Sequence, residues 1–412
     1  MRTPRAESRQ LDASTDLTGI DRADVYKSDR LAGHLVRTDH GVRFGYTTEW
    51  ASGQGEPVAT TLPVAETPVM TPANTVPSFF AGLLPEGRRL GALRRTVKTS
   101  ADDEFSLLLA VGGDTIGDVR VVPAGAGLTD VSPLLRVTDF TGIRFRDLLA
   151  DLNIRPDRVG IPGVQDKAST AMISVPVAHQ ADRYILKLNP PEYPRLVENE
   201  AFFLKAARDC RLRVAEAELV RDVDGTAGLL VRRFDRTVVD DGIVQLACED
   251  GCQVLNRPPG DKYLVDTEQL VRALSGVCGA PRIAARIFLT QLVFAFLTGN
   301  GDAHAKNFSV LRGVTGEWQA SPAYDLPSSY LYGDSTMALP IAGRRDADIC
   351  GSDFIALGEK VGVPARASRK LLADLSARAD LWLPGLVELP FDLKLLRKLR
   401  RTVAYRRASL QR

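Results

Sequence analysis

Thr298-Gly299-Asn300-Gly301-Asp302-Ala303-His304-Ala305-Lys306-Asn307-Phe308-Ser309 directly follows an apolar run that ends at Leu297. The glycines stop the helix that this run predicts, and the polar residues crowd into a loop. Beyond it, Phe308 to Leu311 reads as a strand, Gly313 to Gly316 as a turn and Trp318 to Ala323 as the returning strand, with Asp325 just past its end. A hairpin returns the chain close to its start, so Asp302, Asn307 and Asp325 are expected to converge. Two carboxylates and one amide would then share a site.

Such a set suits phosphoryl transfer, in which hard oxygen ligands hold Mg²⁺ and a further carboxylate orients the attacking hydroxyl. The spacing divides the roles. In protein kinases a catalytic-loop Asp lies five positions before a metal-binding Asn, and a second metal-binding Asp follows a hairpin. Asp302 and Asn307 are also five positions apart. Asp302 is therefore the expected catalytic base, with Asn307 and Asp325 the expected Mg²⁺ ligands. His304 is expected to shape the loop.

Upstream, Gly160-Ile161-Pro162-Gly163-Val164-Gln165-Asp166-Lys167 is a candidate phosphate cradle, because its glycines permit close backbone approach. It is not a Walker A loop: Asp166 precedes the lysine and Ala168 follows it. Tyr184-Ile185-Leu186-Lys187-Leu188 reads as a strand whose apolar neighbours make Lys187 costly to bury without an anion such as a phosphate. Glu200, early in the helix expected over Val197 to Arg211, could orient that lysine. The segment Val231 to Arg236 falls where strands give way to helices, and a hinge there could offer adenine backbone hydrogen bonds and the ring of Phe234.

The rest of the chain supplies the frame. Residues 1–19 carry no apolar stretch and read as a disordered leader; 20–125 mix strands, such as Val25 to Leu35 and Val42 to Tyr46, with helices over Arg88 to Val97 and Asp103 to Val111. Strands and one helix dominate 138–235, and helices dominate 236–412. The expected class is α+β, with two lobes behind a small N-terminal α/β domain. A chain of 412 residues with 44% hydrophobic side chains can bury a large core. No run of about 18 apolar residues occurs, so no membrane span is expected. Five cysteines without pattern argue for reduced thiols and a cytoplasmic setting, and Cys248 and Cys252 lack the second pair a zinc site needs. The net charge of +2 gives no general case for nucleic-acid binding. From Asp392 onward, however, eight basic residues face a single acid, while Leu393, Leu396, Leu399 and Val403 recur at helical spacing. That segment reads as a terminal helix with one packed face, or as a surface for a polyanion.

Taken together, these stretches resemble the HipA-like serine/threonine kinases, in order and across nearly the whole chain after residue 19. Phe79 to Gly87 resembles the family's Phe-Phe-x-x-Leu-Leu-Pro-Glu-Gly motif, Gly163 to Lys167 its Gly-x-Gln-x-Lys loop, Gly301 to Ser309 its catalytic Gly-Asp-x-His-x-Lys-Asn-Phe-Ser, and Tyr324-Asp325 its metal motif. Gln245 to Gln253, with Glu249-Asp250, is also similar. The resemblance implies a two-lobed protein-kinase-like fold related to the phosphoinositide kinases. It further implies that Pro162, Gly163, Val164, Gln165, Asp166, Lys167, Lys187, Arg232, Arg233, Phe234, His304, Ala305, Lys306, Asn307, Tyr324 and Asp325 bind ATP or Mg²⁺, with Asp302 catalytic. Implied partners are a helix-turn-helix antitoxin, DNA through that antitoxin, and a protein substrate such as an aminoacyl-tRNA synthetase; no membrane is implied. The alternative is a non-catalytic, kinase-shaped corepressor, against which the intact Asp302, Asn307, Asp325 and Lys187 speak. Two departures stand out. Gly160 occupies the position of the family's regulatory serine, and Arg232 stands where a hinge glutamate is common.

Overall fold

The structure is a computed structural model, and it describes residues 16–53, 55–128, 136–137, 140–151, 172–179, 182–239 and 242–412. Residues 1–15 of the expected leader and the whole expected phosphate loop, including Gly160 and Pro162 to Lys167, lie outside the described residues. The last residues of the expected leader are not irregular: Leu17–Gly19 form a 3₁₀ turn capped by the Asp16 carboxylate.

The N-terminal part contains β1 (Arg22–Lys27), β2 (Arg30–Thr38), β3 (Gly41–Tyr46), α1 (Thr48–Ser52), β4 (Val69–Thr71), α2 (Ser78–Ala81), α3 (Gly87–Val97), α4 (Glu104–Val111) and β5 (Val119–Pro123). Its antiparallel sheet runs β4-β3-β2-β1-β5. The single alternating segment expected over Val25 to Leu35 is two strands, because Ser28 and Asp29 adopt positive φ and turn the chain within it. Period-2 alternation survives a tight hairpin, so the turn left no gap in the pattern. Phe44, Phe79, Phe80 and Phe105 fill the core under this sheet, with Phe44 and Phe80 5.2 Å apart. Each such side chain contributes about 1.5–3 kcal/mol by leaving water.

Next come β6 (Arg136–Val137), α5 (Phe145–Asp151), β7 (Ile173–His179), β8 (Asp182–Leu188), α6 (Leu196–Asp209), β9 (Ala217–Arg221) and β10 (Ala227–Arg232). The second sheet runs β6-β7-β8-β10-β9, antiparallel except that β6 lies parallel to β7. Ala92 of α3 is buried in the same cluster as Ile173, Val175, Leu186 and Leu188, so the N-terminal part packs directly on this sheet.

The remainder comprises β11 (Arg236–Val239), β12 (Gly242–Gln245), β13 (Cys248–Asp250), α7 (Gly251–Val254), α8 (Thr267–Val277), α9 (Pro281–Thr298), β14 (Ser309–Arg312), β15 (Trp318–Ala320), α10 (Gly351–Lys360), α11 (Ala365–Trp382) and α12 (Leu393–Ser409). Its centre is α9, whose second half is buried on every face from Gln291 to Thr298. By length and composition α9 is apolar enough to cross a membrane, despite Arg282 and Arg286, but 67% of it is buried inside the protein. On α12 the expected packed face is Leu396, Leu399 and Val403, whereas Leu393 is exposed. Arg406 is buried too, donating to the carbonyls of Phe296 (2.5 Å) and Ser335 (2.6 Å), so one of the basic residues is a core tie. All five cysteines are free, and four are buried.

Candidate active site

The loop after α9 is built by its glycines and one asparagine. Gly299 ends the helix in the left-handed region (φ 74°), a conformation glycine takes without strain. At Gly301 a Cβ would lie 2.5 Å from the Thr336 carbonyl and 2.8 Å from the Ser329 hydroxyl, so no larger residue fits. Asn300 then ties the loop's ends together: its Oδ1 accepts from the Asp302 N–H (3.1 Å) and its Nδ2 donates to the Asp325 carbonyl (3.1 Å). Asn307 Nδ2 donates to the Asp302 carbonyl at 3.0 Å. The Tyr324 hydroxyl donates to the Lys306 carbonyl at 2.6 Å, closing the hairpin onto the loop. Asp325 itself sits at φ +53°, a strained position for a non-glycine residue and one typical of functional loops.

Two of the three residues expected to converge line one cavity, and Asp302 lies on the same loop without lining it. Asn307 and Asp325, with His304 and Lys306, form one wall of a cavity of about 230 Å³. Met172 and Ser174 face them from the second sheet, and Pro85, Glu86 and Arg89 close it from the N-terminal part. A larger cavity of about 900 Å³ lies between α9, α11 and the β14–β15 hairpin. It shares no residue with the Asp302 cluster.

Lys187 is 8% exposed and donates to both Glu200 oxygens, at 2.7 and 3.0 Å, and to Asp325. Burial disfavours its charge, but Asp325 and Glu200 outweigh that penalty and hold its pKa above the usual lysine range. One ammonium thus serves two carboxylates. Burial, together with the Asp325 charge, accordingly pushes Glu200 above the ordinary glutamate value.

Asp302 is 1% exposed, and the Tyr263 hydroxyl donates to its Oδ1 at 2.6 Å. The edge of the Tyr263 ring also meets His304, with centroids 5.0 Å apart. Sequence reading missed Tyr263, because it lies 39 residues upstream in a stretch without a motif.

Lys306 is spoken for within the protein. Its ammonium donates to Asp250 at 2.6 Å and lies 3.7 Å from Glu86, which also pairs with Lys262. The carboxylates of Asp250 and Glu86 overcome burial and raise the Lys306 pKa. Glu86 belongs to the Leu-Leu-Pro-Glu-Gly stretch, so that motif clamps the loop of Asp302 to Asn307 from another part of the fold.

The segment expected to form the adenine hinge ties its two arginine side chains to carboxylates of the protein. Arg232 pairs with Asp182 and Glu216, both at 3.1 Å, and its N–H donates to the Glu216 carbonyl. Arg233 is buried, donates to Asp114 (2.8 Å), the Thr115 carbonyl (2.6 Å) and Asp235 (2.8 Å), and gives its N–H to the Arg183 carbonyl. Neither side chain lines the cavity, because each has a carboxylate nearer at hand. Phe234 stacks at a tilt on Tyr324, 5.6 Å between centroids, which keeps it beside the site.

Comparison with known proteins follows the same outline. Residues 23–122 match the model of the HipA N-terminal domain, and residues 159–382 that of the HipA-like C-terminal domain. Y4mE of Sinorhizobium fredii, whose kinase designation is itself provisional, is 31% identical over 86% of this chain and 90% of its own length. The serine/threonine-protein kinase toxin HipA of Shewanella oneidensis is 28% identical over 83% of each chain. The solved complex of HipA, HipB and operator DNA from Shewanella oneidensis contains a chain of the same fold, with TM-score 0.74 at 23% identity, covering 94% of this chain and 96% of that one.

Proposed function

The chain belongs to the HipA-like kinase family, and we propose that it transfers the γ-phosphate of Mg·ATP to a serine or threonine hydroxyl of a protein, as the toxin of a toxin–antitoxin pair. The observation that carries this reading is that Asn307 and Asp325 line one small cavity, with Lys187 donating to Asp325 behind it and Asp302 on the same loop as Asn307. A chain serving only as a kinase-shaped corepressor would have no use for all four.

The donor set fits magnesium. Among the described residues no group of three or more His, Cys, Asp or Glu side chains could hold a metal alone. Mg²⁺ is ordinarily held by one or two protein oxygens plus substrate phosphates and water, and Asn307 with Asp325 supplies that much. When bound, the ion would neutralise charge developing on the phosphates. Lys187 would exchange Asp325 for a phosphate while Glu200 keeps it in place. Asp302 would orient the attacking hydroxyl and take its proton, its carboxylate aimed by Tyr263. His304, Ala305, Lys306 and Tyr324 hold the loop geometry, and Pro162 to Lys167 are assigned to the phosphates.

We divide the chain into an N-terminal unit over 20–125, a β-rich lobe over 138–235 and a helical lobe over 236–412. The partner of the Shewanella oneidensis HipA in its complex is HipB on operator DNA. By analogy, a helix-turn-helix antitoxin would bind this chain and bring it to DNA, and a cytoplasmic translation protein such as an aminoacyl-tRNA synthetase would be the substrate. Incubation with radiolabelled Mg·ATP and cell extract tests the activity. The parent should label a discrete band that Asp302→Asn fails to label while still binding nucleotide. Labelling by the variant at the parental rate would remove Asp302 from the chemistry, and no labelling by either protein would favour the corepressor.

A further inference from the structure

Arg89 is the one cation lining the small cavity that makes no hydrogen bond or ion pair with another described residue. It stands in the first turn of α3, which enters through Pro85-Glu86 and a left-handed Gly87 (φ +55°). Two residues just before it are pinned, Glu86 to Lys262 and Lys306 of the helical lobe and Arg88 to Glu192 before α6. Ala92, one turn on, is buried on the second sheet. The side chain between these anchors is thus held against the wall opposite Asn307 and Asp325.

The carboxylate that attracts it does not satisfy it. Asp114 attracts Arg89 only at longer range, and its Oδ1 already accepts from Arg233 at 2.8 Å and Arg236 at 3.0 Å. Arg233 repels it, and burial disfavours its charge further. A half-buried guanidinium without a partner is held at some cost, and the cost is recovered when an anion arrives. The cavity is smaller than the roughly 300–1,000 Å³ usual for whole ligands, so it suits the phosphate end of a nucleotide rather than all of it. A planar fork of donors matches phosphate oxygens bidentately.

We propose that Arg89 is a phosphate-binding residue delivered in cis by the N-terminal unit, which grips the terminal phosphate of Mg·ATP from the side opposite Lys187. It rests on the ATP-kinase reading. Two consequences distinguish it from that reading. Arg89 discriminates ATP from ADP, and the transferred group carries its contact into the transition state, where charge spreads over the equatorial oxygens.

Calorimetry with Mg·ATP and Mg·ADP on the full chain, alongside single-turnover phosphorylation of the labelled substrate, tests this. Arg89→Gln should weaken Mg·ATP about tenfold to a hundredfold, the loss expected for a charge-assisted hydrogen bond. Mg·ADP affinity and the thermal midpoint should stay at parental values. Arg89→Lys, which keeps the charge but loses the fork, should fall between. Equal loss of both nucleotides, or a lowered midpoint in both variants, would make Arg89 structural and overturn the proposal. Unchanged nucleotide affinity with a raised KM for the protein substrate would overturn it in favour of an acidic group on that substrate. A parent that binds neither nucleotide would refute the ATP reading, and the proposal with it.

Discussion

Replacing Tyr263 by Phe removes one oxygen atom and leaves the ring in place. The lost contact is the 2.6 Å donation to Asp302 Oδ1, while the ring edge that meets His304 remains. Burial and the neighbouring Asp302 charge hold the phenol's pKa well above its usual value, so it stays a donor at neutral pH. A hydrogen bond to a charged group contributes about 1.5–3 kcal/mol. If that orientation energy is expressed in the transition state, kcat should fall roughly tenfold to 150-fold, at 1.36 kcal/mol per factor of ten. KM for Mg·ATP should not move, because Tyr263 does not line the cavity. Initial rates against ATP concentration, at several pH values, give both quantities. A kcat within twofold of the parent, or a loss expressed wholly in KM, would refute the assignment of Tyr263 as the residue that positions the base.

Asp325→Ala should abolish the Mg²⁺ dependence of nucleotide binding, since Asn307 alone is a poor ligand set for a hard dication; calorimetry with and without Mg²⁺ decides it. Asp235 is held near pKa 2 against burial by Arg233 and Arg236, so Asp235→Asn leaves two buried cations sharing Asp114 alone and should destabilise the protein measurably in urea melts, by up to about 3 kcal/mol. Burial pushes the Glu249 carboxyl from 4.5 up to about 6, although the Thr60 N–H and hydroxyl donate to it at 2.8 and 2.7 Å. The folded protein therefore binds this proton more readily than the unfolded chain. Stability present below pH 4.5 is lost as pH rises through 6, by at most about 2 kcal/mol. Glu249→Gln should remove that slope, and urea midpoints with the same slope in parent and variant would count against it.

Local signals were readable wherever a pattern and its punctuation agreed. Most helix boundaries fell within a few residues, and the Asp302, Asn307 and Asp325 convergence followed from a hairpin whose turn glycines stand in the sequence. Lys187 and Glu200 were legible because a lysine among strand residues needs an anion. What escaped was long-range. Tyr263, Glu86 and Arg89 reach the site through tertiary packing, and no spacing relates residue 86 to residue 306. The partners of the Arg232 and Arg233 side chains were hidden in the same way. Position does not reveal that Asp182, Glu216, Asp114 and Asp235 compete for them. The hairpin at Ser28-Asp29 was hidden for the opposite reason, since its residues lack the glycine that usually marks positive φ.

The clamp of Glu86 on Lys262 and Lys306 acquires a mechanical meaning beside the other ties described above. Arg88 fastens the same helix to the segment before α6, and Asp114 fastens the following turn to the chain between the lobes. The N-terminal unit is therefore a strut spanning a cleft that, in two-lobed enzymes generally, opens and shuts by rotation. Such rotation here would have to break half-buried ion pairs on both sides at once. On the kinase reading proposed above, product release would be a matter of local loosening around the phosphates rather than of jaws swinging apart, and a partner gripping the strut would gain leverage over turnover without touching the nucleotide.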